Sequence, residues 1–288
     1  MRLIDAETRL CAVIGNPVAH SLSPHMHNAA FEAAGLNYVY LAFRVEDVGG
    51  CVEGMRALPS FRGMSVTIPH KIAVMHHLDE VEPMAQHVGS VNTITNDNGR
   101  LVGSTTDGPG TLRAFLDASV DLNGKKVLFV GSGGAVRAVA FAIAELTHAD
   151  HVTILGRTPE RVSRLVSDLR DASGKSIAAG GLDTDLAEAM RTHDVVIQGT
   201  PIGMHPHEDA SPIPREWLRD CQVVFDMVYR PHKTLLLRDA EAVGCKIIVG
   251  IEMLINQAVL QFERWTGVDA PYSAMRDAAL RALSPAGS

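Results

Sequence analysis

Cysteine is scarce in this 288-residue chain, and its few copies are scattered. The four cysteines are Cys11, Cys51, Cys221 and Cys245, and no two of them form a C-x-x-C pair. Neither a disulfide framework nor a cysteine-based zinc site is therefore indicated. Unpaired cysteines are typical of a reducing compartment, so we expect a cytoplasmic protein.

Blocks of positive charge and uninterrupted apolar runs are also lacking. The net charge is −7 without a lysine and arginine block, which argues against a grip on a nucleic-acid backbone. The first ten residues, MRLIDAETRL, contain no apolar signal core, so we expect no export. The longest apolar window, 127–146, is interrupted by Arg137 and three glycines. We expect small-molecule partners, with no nucleic acid and no membrane.

Strand-like and helix-like segments alternate along the chain. Apolar runs predict strands at 11–15, 38–43 and 64–68, with a helix at 23–34 after the first strand. A second series of strands and helices begins near residue 126. This rhythm predicts an α/β fold with mainly parallel sheets, and the length favours two domains.

A glycine-rich turn opens the second series. The strand KVLFVG runs directly into Gly131-Ser132-Gly133-Gly134 and then into a helix. Gly131 can form the tight turn, and Gly133 can admit a pyrophosphate to the helix N-terminus. Val136 occupies the third position of G-x-G-x-x-G, which predicts less intimate helix packing. The alternative is a strand-to-helix turn without a ligand.

The end of the next strand favours NADP over NAD. An NAD site usually places a carboxylate there against the ribose 2′-hydroxyl, whereas this chain has Arg157, Thr158 and Arg161. A guanidinium can bind a 2′-phosphate through two parallel hydrogen bonds. The alternative is a solvated helix start with Thr158 as N-cap and Pro159 in the first turn.

Polar side chains in the first half are candidates for substrate chemistry. An enzyme that oxidises an alcohol with a nicotinamide must also move a proton, and Lys71, after GMSVTIP, is one candidate. Ser21 and Ser23 precede a helix and suit a small carboxylate. Asn92 is predicted on a strand, and Asp107 in a glycine-rich turn at the domain boundary. Each alone also fits ordinary surface, capping or turn chemistry.

Histidine pairs occur at 25–27, 76–77 and 205–207. None has H-E-x-x-H spacing or a clustered cysteine partner, so we predict no metal site. Solvated helix and loop histidines are expected instead.

Nine ordered blocks resemble the shikimate dehydrogenase family and span nearly the whole chain. They are GNPVAHSLSPHMH, SVTIPHK, SVNTI, TTDGPG, GSGGAVRA, GRTPER, GTPIGM, DMVYRPHKT and GIEMLINQAVLQFERWTG. The resemblance implies NADP-linked interconversion of 3-dehydroshikimate and shikimate, a step of aromatic amino-acid biosynthesis, in a monomer or homodimer. It also implies a substrate-binding α/β domain, residues 1–106 completed by C-terminal helices 250–288, and a Rossmann NADP-binding domain, residues 107–249.

The resemblance further assigns roles to individual residues. Lys71 and Asp107 match the catalytic pair, which we interpret as a coupled dyad. The residues that match substrate-binding positions are Ser21, Ser23, Thr67, Asn92, Tyr229 and Gln257. Those that match cofactor-binding positions are Gly131, Gly133, Gly134, Ala135, Arg157, Thr158, Arg161, Met204 and Gly250.

Three positions depart from the family pattern. Ser65 stands where the family commonly has Asn, Thr105 replaces the Asn of NTDG, and Gly156 replaces the Asn of NRT. The first two concern substrate specificity. A relative acting on quinate, aminoshikimate or another cyclic hydroxy acid stays open, as does a non-catalytic NADP-binding redox sensor.

Overall fold

The computed structural model describes residues 4–283 and divides into two compact units. One unit comprises the chain up to Thr106 together with the chain from Ile255 onward. The other comprises Asp107–Leu254.

The first unit is built on a six-stranded sheet with the order β2-β1-β3-β5-β6-β4. All neighbours are parallel except β5, which runs antiparallel to β3 and β6. The strands are β1 Arg9–Gly15, β2 Tyr38–Arg44, β3 Phe61–Val66, β4 Glu80–Val81, β5 Thr93–Asp97 and β6 Arg100–Ser104. The helices are α1 Ser23–Ala33, α2 Val48–Arg56 and α3 Pro83–Val88, with a 3₁₀ helix at Ala73–His77.

Two predicted strands differ from the observed ones near the candidate site. The strand predicted at 64–68 ends at Val66, and Asn92 precedes β5 rather than lying in it. Beyond Val66 the chain turns, because the carbonyl of Thr67 accepts from the amide of His70, and Pro69 has no amide to donate to a ladder. Ile68 consequently points outward and is 71% exposed.

The second unit is a doubly wound, fully parallel sheet with the order β12-β11-β10-β7-β8-β9. The order reverses between β7 and β10, which is the switch point where such sheets bind dinucleotides. The strands are β7 Lys126–Val130, β8 His151–Gly156, β9 Ile177–Gly181, β10 Val195–Gln198, β11 Val223–Asp226 and β12 Lys246–Ile248. The helices are α4 Asp107–Asp117, α5 Gly134–Leu146, α6 Pro159–Ser173, α7 Leu182–Thr192 and α8 Leu235–Val243.

Two C-terminal helices complete the chain, α9 Gly250–Thr266 and α10 Tyr272–Leu283. From Ile255 onward they belong to the first unit, where α10 packs on α1. The Trp265 side chain is fully buried, and its indole donates to the carbonyl of Ile94 at 3.0 Å. A Cβ at Gly63 would come within 2.0 Å of that indole, so only glycine allows α9 to pack against β3. Among residues 4–283, no helix has both the length and the hydropathy to cross a bilayer.

Candidate active site

The turn that carries Lys71 is held by backbone hydrogen bonds on both sides. The amide of Thr67 donates to the carbonyl of Ile14 at 2.9 Å, and the amide of Val91 donates to the carbonyl of Lys71 at 2.8 Å. A Cβ at Gly15 would meet the Thr67 methyl at 2.4 Å, so glycine there permits the close approach. The backbone of Lys71 is therefore held in place just beyond the carboxyl end of β3. The residue is partly buried.

Asn92 lies next to this turn and joins two residues that are remote in the chain. Its carboxamide oxygen accepts from the amide of Thr106 at 2.8 Å, and its Nδ2 donates to Oε1 of Gln257 at 3.2 Å. Asn92 and Gln257 are 3% and 8% exposed. The structure thus brings together two of the predicted hydroxyl-binding residues and fixes which end of the Asn92 amide faces Gln257.

A buried chain of hydrogen bonds extends from Asn92 to Ser65 and includes three residues that the sequence did not single out, Thr93, Gln261 and Tyr40. The hydroxyl of Thr93 donates to Oδ1 of Asn92 at 2.7 Å and accepts from Nε2 of Gln261 at 2.9 Å. Oε1 of Gln261 accepts from Ser65 at 2.8 Å, and Ser65 in turn accepts from the Tyr40 phenol at 2.6 Å. Gln261 follows Gln257 by one helical turn in α9, so the two side chains lie on the same face of that helix. This spacing is the sequence signal that could have identified Gln261.

Ser21 and Ser23 lie at the start of α1, at the far end of this chain. The hydroxyl of Ser23 is a hydrogen-bond partner of the Tyr40 phenol, and burial raises the pKa of Tyr40. The capping interpretation of Ser23 is wrong, because Leu22 is the N-cap residue and Ser23 is already helical. Instead, the amide of Ser23 donates to the hydroxyl of Ser21 at 3.3 Å. The Ser21 hydroxyl is therefore positioned by the first amide of the helix.

His27 corrects the expectation of solvated histidines. It is fully buried, stacks on Tyr40 with ring centroids 4.4 Å apart, and lies 5.1 Å from the ring of Trp265. It is buried because α1 packs its inner face against β2 and the C-terminal helices, whereas His25 on the outer face is exposed. Residues 4–283 contain no group of three or more histidine, cysteine or acidic side chains that could hold a metal ion.

Burial lowers the pKa of His27 to about 3, below its ordinary value of 6.5. The folded protein therefore keeps His27 neutral while the unfolded chain binds a proton below pH 6.5, so stability is lost as the pH falls from 6.5 towards 3. Over the first two pH units of that window the loss from this residue is roughly 3 kcal/mol.

His27→Phe is expected to abolish that pH-dependent loss. The measurement is urea unfolding of the parent and the variant at about pH 7 and about pH 4.5, followed by tryptophan fluorescence. His25→Phe, on the exposed face of the same helix, is the matched control and should keep the parent's pH dependence. An equal stability difference between parent and His27→Phe at both pH values would contradict the prediction.

Asp107 occupies the first position of α4, whereas a glycine-rich turn was predicted. Its carbonyl accepts from the Thr111 hydroxyl at 2.9 Å. The glycine that follows serves helix packing, because a Cβ at Gly108 would meet the carbonyl oxygen of Ala138 in α5 at 2.5 Å. Asp107 directly follows Thr106, the residue whose amide donates to Asn92.

In the second unit, the glycine turn follows β7 at the switch point. Gly131 has φ = 117°, a conformation that favours glycine. Within the described range 4–283, no atom lies within 4 Å of a Cβ added at positions 133 and 134, so open space lies beside the α5 N-terminus. Ala135 is exposed beside them. This free backbone and open space fit a pyrophosphate.

Helix α5 packs more closely than Val136 led us to expect. Val136 is fully buried, and a Cβ at Gly199 after β10 would lie 2.2 Å from its methyl group. The close approach that the third glycine of the motif usually allows is supplied by Gly199 on the neighbouring strand. The sequence signal for this close packing was Gly199 in the QGTP segment.

Arg157 and Arg161 are exposed side chains beyond the carboxyl end of β8. The ion pairs found within residues 4–283 include neither of them, whereas Arg137 pairs with Asp168 at 2.6 Å. Thr158 is the N-cap residue of α6, but its side chain makes no capping hydrogen bond. The departure at Gly156 has a packing reason, since a Cβ there would lie 2.5 Å from a methyl group of Val162.

Asp226 at the end of β11 organises the loop that carries Tyr229. Its carboxylate accepts from the hydroxyl of Thr234 at 2.6 Å and from the amide of Val228 at 3.0 Å. Burial raises the pKa of Asp226 to about 6, and these hydrogen bonds oppose the rise. A Cβ at Gly250 would lie 2.5 Å from the carbonyl oxygen of Val228, so glycine alone fits there. Tyr229 and Met204 are 37% and 47% exposed.

The second unit is doubly wound and has a glycine turn at its switch point, and the first unit is an α/β unit with a buried polar network. This combination defines a class of dinucleotide-binding proteins. Three family models match this chain. The shikimate dehydrogenase substrate binding domain matches residues 13–94, shikimate / quinate 5-dehydrogenase matches 114–205, and the shikimate 5'-dehydrogenase C-terminal domain matches 250–280.

Full-length relatives agree with these matches. The chain is 44% identical to a shikimate dehydrogenase (NADP(+)) of Methanopyrus kandleri, over 97% of this chain and 98% of that protein. It superimposes with a TM-score of 0.91 on a crystal structure of a shikimate dehydrogenase in complex with NADP+, at 39% identity and 98% coverage of both chains. A shikimate 5-dehydrogenase of Thermus thermophilus in complex with NADP(H) and shikimate has a TM-score of 0.85 at 38% identity, with coverage of 96% and 100%. The chain belongs to the shikimate dehydrogenase family.

Proposed function

We propose that this protein is an NADP-dependent oxidoreductase that reversibly reduces 3-dehydroshikimate to shikimate in the cytoplasm. The observation that carries the proposal is the cluster around Asn92. Its neighbour Val91 is hydrogen-bonded to the backbone of Lys71, and its side chain is bonded to Thr106, the residue before Asp107. Hydrogen bonds thus link Asn92 and its neighbour to Lys71 and to the residue that precedes Asp107, which supports a role for both in one reaction.

The first unit would bind the acid through its hydroxyls and amides. Ser21 and Ser23 at the start of α1 suit the carboxylate, because hydroxyls and a helix N-terminus both favour negative charge. Thr67, Asn92 and Gln257 suit the ring hydroxyls, because each can donate to or accept from an alcohol. The fixed orientation of the Asn92 amide supplies the geometric selectivity.

Lys71 and Asp107 would handle the proton of the reacting hydroxyl. The proton would be exchanged with the two residues acting as a unit. The backbone hydrogen bond from Val91 holds the Lys71 turn in place while this occurs. Tyr229, on the loop organised by Asp226, is proposed as a further substrate-binding residue.

The cofactor would be held along the switch point of the second unit. Gly133 and Gly134 leave room for the pyrophosphate, and Gly131 and Ala135 flank them in the same turn. When bound, the cofactor supplies or accepts the hydride of the reaction. Met204 and Gly250 would lie near the nicotinamide. Arg157, Thr158 and Arg161 would bind the 2′-phosphate, because the two guanidiniums have no ion-pair partner among residues 4–283.

A second candidate is a relative that acts on quinate, aminoshikimate or another cyclic hydroxy acid. Two residues favour this second candidate. Ser65, in place of the commoner Asn, is held by Tyr40 and Gln261. The Thr105 hydroxyl is buried and has no hydrogen-bond partner in the part of the chain that the structure describes. Either position changes which ring substituent can be satisfied by a hydrogen bond.

The test is a steady-state panel of shikimate, quinate and aminoshikimate, each with NADP and with NAD. We expect shikimate with NADP to have the highest kcat/KM, because the serine pair, the Asn92 cluster and the arginines are then all used. A higher kcat/KM for quinate or aminoshikimate would support the second candidate. NADPH binding without turnover of any of these acids would instead support a redox sensor.

A further inference from the structure

A cavity of about 320 Å³ lies in the first unit, between the end of α2, the start of β3 and the turn joining β5 to β6. It opens at the amino end of β3, whereas Lys71 follows the carboxyl end of that strand. The length of the strand separates the two ends by roughly 20 Å. The cavity is therefore distinct from the candidate active site.

Arg62 is the charged group of this cavity that lacks a counter-charge. Its Nη1 donates to the carbonyl of Asn96 at 3.2 Å, and its Nη2 donates weakly to the carbonyl of Trp265 at 3.5 Å. Its Nε is buried and has no hydrogen-bond partner among residues 4–283. The ion pairs found in that range do not include Arg62. A partly buried guanidinium without a counter-charge, lining a cavity, is a candidate anion-binding group.

The second arginine of the cavity provides an internal contrast. Nη1 of Arg56 pairs with Asp79 at 2.5 Å and its Nε with Glu53 at 3.4 Å, while carbonyls of Gly99 and His77 accept its other donors. Its charge is neutralised and its position is fixed. Arg56 thus forms a wall of the cavity and leaves Arg62 as the group able to bind an anion.

One side of the cavity wall is apolar, while Asn96 and Asn98 contribute polar lining. Leu58 is 41% exposed and Pro59 is also exposed, and both line the cavity beside the guanidinium. An apolar surface adjacent to a planar cation suits a ligand with an oxyanion at one end and a short hydrophobic body.

We propose that this cavity binds a small organic oxyanion, with the oxyanion on Arg62 and the hydrophobic body against Leu58 and Pro59. A carboxylate and a phosphate share the chemistry that a guanidinium recognises, since each accepts two parallel N–H donors.

The test is a titration of the ¹⁵N-labelled parent protein with benzoate and, separately, with inorganic phosphate, at constant ionic strength. Arginine Nε–Hε signals are followed by NMR, and the Arg62 signal is assigned by its loss in Arg62→Lys. We expect a saturable shift of this signal. Saturation by benzoate identifies a carboxylate site, and saturation by phosphate alone identifies a phosphate site. A linear drift equal to that in sodium chloride with both probes would overturn the proposal.

Two variants supply an independent check through the backbone amide of Leu58. Arg62→Lys keeps the charge but loses the planar fork and Nε, so it should weaken binding of the saturating probe at least tenfold. Arg44→Lys is the matched control, because Arg44 is an exposed arginine of the same unit paired with Glu46, and its affinity should equal the parent's. Unchanged affinity in Arg62→Lys would place the anion elsewhere and reject the site.

Discussion

Lys71→Ala is expected to lower kcat for shikimate oxidation by roughly 10²- to 10⁴-fold, the range for a positioned acid-base group. NADP affinity should stay at the parent's value, because the proposed cofactor residues all lie in the second unit. The measurement is steady-state kinetics at saturating shikimate, with NADPH fluorescence titration to show an intact cofactor site.

Asp107, the proposed partner of Lys71, allows a second test of the same prediction. Asp107→Asn should be impaired to a similar degree, and the double variant should be hardly worse than either single variant, because residues that act as a unit are non-additive. Ile72→Ala is the matched control for the turn, since Ile72 follows Lys71 and is 66% exposed. A Lys71→Ala enzyme within about threefold of the parent would show that Lys71 is an ordinary surface lysine.

Replacing both Arg157 and Arg161 by alanine is expected to reduce the preference for NADP over NAD by roughly 10²-fold or more. Each hydrogen-bonded contact with a charged phosphate contributes about 1.5–3 kcal/mol, and about 1.4 kcal/mol corresponds to a factor of ten. The kcat/KM with NAD should change by less than about threefold, because NAD has no 2′-phosphate to lose.

The comparison is the ratio of kcat/KM for NADP to that for NAD in the parent and variants. Arg164→Ala is the matched control, since Arg164 is another exposed arginine of α6, one turn from the proposed site. The proposed 2′-phosphate site fails if the double variant keeps the parent's ratio, or if Arg164→Ala lowers the ratio equally.

Features that depend on neighbours in the chain were predictable from the sequence. The turn at Gly131 and the helix start at Gly134 follow a buried strand within a few residues, so local pattern sufficed to place them. The same holds for Thr158 at the N-cap position of α6. The predicted strand through Ile68 failed at its last two residues, because the chain turns there and the carbonyl of Thr67 accepts from the amide of His70.

Features that depend on distant parts of the chain were not predictable. Ser65 and Gln261 are hydrogen-bonded across 196 residues, and no periodicity along either segment indicates that contact. Gly63 is required by Trp265, Gly108 by Ala138, and Gly199 by Val136, so each of these glycines takes its role from a partner outside its own motif.

The sequence by itself determined the α/β class, the family resemblance, the glycine turn and the residue types available for proton transfer and anion binding. These follow from period, spacing and side-chain chemistry, which are local properties. The tertiary structure decided that Asn92 bonds Gln257 and Thr106 and that His27 is buried beside Tyr40. It also decided that Arg62 has no counter-charge within residues 4–283 while Arg56 has one. These properties depend on which elements pack together, and a charge or hydrogen-bond donor acquires its partner only when the folded chain brings the two into contact.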